Sequence, residues 1–107
     1  MEKEIEKIIF EIIATSGEAR SEVFNALKAF ERGEHNKVKK SLVRTSELIA
    51  EANKALFKLI QKEARGEKIE FSLLLVHACD IFMASILEKE LSERFIKLIE
   101  NIKMQIE

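Results

Sequence analysis

Two residues inside the most apolar segment of this chain could carry chemistry. The stretch Ser72–Leu87, SLLLVHACDIFMASIL, holds no lysine or arginine, yet it contains His77 and Asp80. On a helix, residues three apart share a face. A neutral imidazole is a nucleophile or base near neutral pH. A carboxylate in apolar surroundings has to be neutralised, hydrogen-bonded or paired with a cation. Two readings stay open for each residue. His77 is either a reactive group or a polar side chain hydrogen-bonded to Asp80 or another partner. Asp80 is either hydrogen-bonded within one subunit, or one of several copies that meet on an axis and share a cation or protons. A zinc site is a weak reading, because the pair gives at most two ligands and the only other histidine is His35. Cys79 lies two positions from His77, points elsewhere on the helix and reads as a small buried hydrophobe. No nucleophile–base–orienter set and no glycine-rich phosphate loop is present.

Three helices must position these residues. Ile5, Ile8, Ile9, Ile12, Ile13, Ala19, Val23, Ala26, Leu27 and Phe30 recur at steps of three and four, predicting a first helix over about 3–30. Gly17 interrupts it, which implies a bend, a close backbone or a tolerated packing glycine. Gly33 supplies a left-handed cap after the first helix. Val38, Leu42, Thr45, Ile49, Ala52, Leu56 and Leu59 form a heptad seam on a second helix, from about His35 or Asn36 to Ala64. Gly66 marks the next break, and a third helix runs from about Phe71 to Ile102 or beyond. These lengths and short loops specify an all-α, antiparallel three-helix bundle, with residues 1–107 as one domain. From Leu73 to Leu87 the third helix is apolar on every side. A helix of this kind is covered on every side, so self-association through the third helix is expected.

Composition narrows the function classes. The chain has no proline, only 3 glycines and a net charge of −1. A net charge near zero and the lack of Trp or Tyr for stacking argue against nucleic-acid binding. The single cysteine cannot close an internal disulfide, which favours a reducing compartment. The opening MEKEIEKII does not read as a signal peptide. The apolar stretch is too short for a membrane span and carries two costly polar residues. A cytoplasmic location without membrane insertion is expected.

The segment LIQKEARGEKIEFSLLLVHACDIFMASILEKEL resembles the IIA component of the lactose/cellobiose class of the sugar phosphotransferase system, whose pattern is close to SLLLVHAQDHLM. SGEARSEVFNALKAFERGE resembles the same family's first helix and turn, and the likeness covers nearly the whole chain. It implies a three-helix subunit in a homotrimer. It implies that His77 accepts phosphate from the phosphohistidine of the carrier HPr and passes it to a cysteine of the IIB component, for uptake of lactose-, cellobiose- or chitobiose-type sugars. It also implies that Asp80 lies near the trimer axis, where some members hold a divalent metal of the Mg2+ kind. The chain departs from the family pattern at Cys79, Ile81 and Ala84 on the third helix. On the second helix it departs at Asn53, Leu56 and Phe57. These changes replace polar groups that would orient the imidazole or hold phosphate. An alternative reading follows from them: a non-catalytic IIA-like helical oligomer acting as a regulatory or binding module.

Overall fold

A computed structural model describes all 107 residues as three long helices: α1 (Lys3–Glu31), α2 (His35–Ala64) and α3 (Leu73–Ile106). They lie side by side in a rod of 59 × 20 × 19 Å. The bundle is as expected, and α3 runs past Ile102 to Ile106.

The same device ends α1 and α2. Gly33 and Gly66 take φ of 73° and 92°, where a side chain would be strained. At the first turn the Glu34 N–H donates to the Ala29 carbonyl at 2.9 Å and Gly33 to Phe30 at 3.1 Å. At the second, Glu67 donates to Lys62 at 3.1 Å and Gly66 to Glu63 at 3.0 Å. Each pair closes a Schellman motif, which satisfies carbonyls that the helix end leaves free. The start of α3 is fixed by Ser72, whose side chain accepts the Leu75 N–H at 3.1 Å.

Of the expected seam on α2, Leu42, Ile49 and Leu56 are only half-buried, because the buried face is rotated toward Leu48 and Ala55. Val38, Thr45, Ala52 and Leu59 are buried, with Leu48 and Ala55 alongside them. The main core lies toward the start of α1, where Ile5, Ile8, Ile9 and Ile12 meet Ala52, Ala55, Leu59, Ala78 and Phe82. A smaller one at the other end joins Ala29, Val38 and Ile96. Between them the facing residues are small: Ser16, Ala19, Thr45 and Ser85 are fully buried. Short side chains let the helices approach closely, and two hydroxyls bond back into their own helices. Thr45 Oγ1 donates to the Ser41 carbonyl at 2.7 Å and Ser85 Oγ to the Phe82 carbonyl at 2.6 Å.

Gly17 does not break α1, and no other backbone lies against it. The helix continues through it, and a Cβ there would sit 3.7 Å from Ile81 Cδ1, an ordinary contact. Of the first-helix residues picked by period, Ile13, Leu27 and Phe30 are only half-buried, while Ala29 is buried. The Phe30 ring instead lies under Lys103 Nζ, at 5.8 Å.

Candidate functional site

His77 stands in the second turn of α3, five residues after the Ser72 cap. It is exposed, and so is Asp80. Both lie on the side of α3 turned away from the buried Ala78, Phe82, Ser85 and Ser92. Neither side chain takes part in a hydrogen bond or ion pair within the chain. The reading of His77 and Asp80 as polar groups bonded to each other or within one subunit is therefore overturned. Three residues of separation puts them on one face without bringing their polar atoms together.

The same face is apolar along most of its length. Leu73, Met83, Leu87, Leu91, Phe95 and Leu98 are exposed, at 46–84% of their full areas. Single exposed leucines are ordinary, whereas a contiguous stripe of them is not. Only 20 of 107 residues are buried in the isolated subunit, so much of the chain's apolar surface lies outside its core. All-round burial of α3 is thus not achieved within one chain. The face that the apolar pattern requires to be covered is open.

The positions that depart from the family pattern are not all alike. Ile81 is half-buried against Gly17 of α1. Cys79 and Ala84 are half-buried, and Cys79 is a free thiol. Leu56 packs against the main core. Phe57 is 55% exposed. Asn53 lines a groove of about 450 Å³ between α2 and α3, together with Ser46, Ile49, Phe82, Ile86 and Lys89. The groove exists because α3 lies mainly along α1 and touches α2 less. Sequence periodicity did not reveal it, since period gives each helix a buried face without saying which neighbour fills it.

Ion pairs fix the frame around the site. Arg20 of α1 and Glu88 of α3 form a two-pronged pair, at 2.6 and 3.2 Å. The Glu88 carboxylate, by hydrogen bond and then by charge, raises the Arg20 pKa above its usual value. Lys62 near the end of α2 has only 12% of its side chain exposed and reaches Glu4 at 3.3 Å and Glu67 at 3.5 Å. It thereby ties the start of α1 to the loop that leads into α3. Glu4 raises the Lys62 pKa, chiefly by hydrogen bonding. His35 is exposed as the first residue of α2, beyond the Glu34 cap, as expected for a residue in the charged turn.

No three His, Cys, Asp or Glu side chains converge within the chain to hold a metal ion. No helix is long and apolar enough to cross a membrane.

Residues 7–100 match the family described as the lactose/cellobiose-specific IIA subunit of the PTS. The chain is 38% identical over 105 residues to the lichenan-specific phosphotransferase enzyme IIA component of Bacillus subtilis, covering 98% of this chain and 96% of that one. It superposes on the crystal structure of the cellobiose-specific enzyme IIA of Bacillus anthracis with a TM-score of 0.90 and 40% identity, over 97% and 95% of the two chains. It is also similar to the chitobiose IIA of Escherichia coli, whose structure was solved in complex with HPr. There the TM-score is 0.80 and the identity 34%, over 96% of this chain and 99% of that one.

Proposed function

This chain belongs to the lactose/cellobiose-specific IIA family of the sugar phosphotransferase system, and from that premise we propose that it carries phosphate on His77 between HPr and a IIB component. The observation that carries the proposal is the exposure of His77, within the VHAxD segment, on a helix face where a partner protein can reach it. A neutral imidazole nitrogen attacks the phosphorus of the HPr phosphohistidine. The N–P bond at HPr breaks as the one at His77 forms, and the HPr imidazole leaves. In the second step a IIB thiolate attacks the same phosphorus and His77 leaves as neutral imidazole after taking up a proton. The protein's own contribution is placement, through the Ser72 cap and the Arg20–Glu88 pair that hold α3 in its rotation. Such transfer takes place in the cytoplasm, and the sugar handled is of the lactose, cellobiose or chitobiose type.

The stripe from Leu73 to Leu98 supports assembly as a homotrimer through α3. Threefold symmetry would cover the stripe and gather three Asp80 carboxylates near the axis, leaving His77 at the edge of the seam between copies, where a partner still reaches it. A divalent ion of the Mg2+ kind fits that donor set only in the assembly. One subunit offers a single carboxylate, whereas three copies of Asp80 would offer an oxygen cluster suited to a hard cation. The ion would neutralise clustered negative charge and takes no part in phosphate transfer.

A second reading is favoured by the apolar replacements. Ile81 faces α1 and Leu56 faces the core, so neither can orient an imidazole or hold phosphate. In that reading the chain is a helical oligomer that binds partners without accepting phosphate. Reconstitution separates the two. With phosphoenolpyruvate, enzyme I, HPr and a cognate IIB, the phosphocarrier makes labelling of IIB depend on this chain. Labelling of IIB that is equal with and without the chain leaves the binding module.

A further inference from the structure

The end of the bundle where α1 turns into α2 carries a concentration of positive charge that phosphate transfer at His77 does not use. A groove of about 360 Å³ there is lined by Lys28 and Arg32 from the end of α1 and by Lys37 and Lys40 from the start of α2. The one carboxylate in its wall is Glu34. It is already paired with Lys37 at 2.9 Å, and that pairing lowers its pKa. Lys28, Arg32 and Lys40 have no carboxylate within 4.0 Å. Asn25 and Ser41 add neutral hydrogen-bonding groups to the same wall.

A solvated surface accounts for part of this. Lys28 in the last turn of α1, and Arg32 just after it, complement the negative end of that helix. Lys37 and Lys40 have the opposite relation. They occupy the first two turns of α2, where the helix dipole disfavours cations, and the first turn holds no acidic residue. The chain as a whole is at −1, so three unpaired cations around one concavity are a local accumulation and not a general basicity.

We infer that this groove binds a small, multiply charged phosphate compound, with Lys28, Arg32 and Lys40 as its principal contacts. A small ligand fits better than a protein. Protein interfaces centre on aromatic or large apolar anchors, and the only hydrophobic residue in this wall is the buried Ala29. The volume is at the lower end of the roughly 300–1,000 Å³ of small-molecule sites. Three free cations match a ligand with two or more negative charges, such as a diphosphate. The site lies toward the opposite end of the bundle from His77: Gly17 of α1 is level with Ile81 and Phe30 with Lys103, so His77 is level with the first half of α1.

The test uses inorganic pyrophosphate as the probe, in metal-free buffer at low salt, followed by amide chemical shifts and calorimetry on the full chain. Saturable shifts confined to residues 25–41, weakened at least about tenfold in Arg32→Gln/Lys40→Gln, support the site. Lys54→Gln/Lys58→Gln, which removes two charges elsewhere on α2, should bind pyrophosphate as the parent does. Four results overturn the inference: no saturable change up to about 5 mM pyrophosphate, equal binding by the Arg32/Lys40 variant, shifts centred elsewhere, or binding of poly-glutamate without binding of pyrophosphate.

Discussion

His77 and His35 are both exposed, and what separates them is their position in the fold. His35 begins α2 in a charged hollow with Lys97, Glu100 and Lys103 of α3, while His77 stands on the face of α3 that carries Asp80 and the apolar stripe. The neighbours that replace polar family residues should slow transfer. A lost hydrogen bond to a charged group costs about tenfold to a hundredfold in rate, at about 1.4 kcal/mol per tenfold. Lys62 offers a residue-level prediction of another kind. Its pKa is raised in the folded chain by Glu4 and Glu67, so its pairing contributes fully below the ordinary lysine value of 10.5. That contribution is lost as pH rises through the raised folded value. Lys62→Met should therefore show a shallower alkaline loss of stability than the parent, measured as thermal midpoints across that range. Identical alkaline profiles would assign the pair no thermodynamic weight.

At the scale of the elements, the two glycines of α1 and its turn should respond oppositely to alanine. Gly33 has φ of 73°, so Gly33→Ala should destabilise by about 1 kcal/mol. Gly17 lies within a continuous helix with room for a Cβ 3.7 Å from Ile81, so Gly17→Ala should stabilise by about 0.4–1 kcal/mol. Urea unfolding of the two variants decides this, and a loss of stability at Gly17 would mean that another surface packs on it. The helices themselves were legible because their apolar residues keep a period near 3.6 and because glycine marks both breaks. The cap at Ser72 and the partial burial of Phe30 were not, since each depends on how a helix end meets its neighbours. For the site, the position of His77 and Asp80 on one face followed from their spacing. Their lack of partners, and the groove lined by Asn53, came only from the packing of α3 along α1.

For the whole molecule, the apolar stripe is exposed on the isolated subunit, and the proposed trimer would cover it. Sedimentation equilibrium at micromolar concentration should give three times the mass of the 12.3 kDa chain. A well-folded monomer would refute the assembly. Replacing Asp80 with leucine should leave a folded helical oligomer, and a more stable one if three carboxylates crowd an axis, because buried like charges repel. Any bound divalent metal should be lost with the carboxylate. Thermal melts of both forms, with and without a chelator, read out both effects. An Asp80→Leu protein that is monomeric and unfolded would show instead that the carboxylate holds the copies together.

Phosphate on His77 is read from the intact mass of the chain. The chain is incubated with phosphoenolpyruvate, enzyme I and HPr, and its intact mass is then measured under alkaline conditions that preserve phosphohistidine. One added phosphate is expected, which brief acid treatment removes, which is absent in His77→Ala and which persists in His35→Ala. No added phosphate after prolonged incubation with a cognate HPr, or a label that survives in His77→Ala, would contradict it.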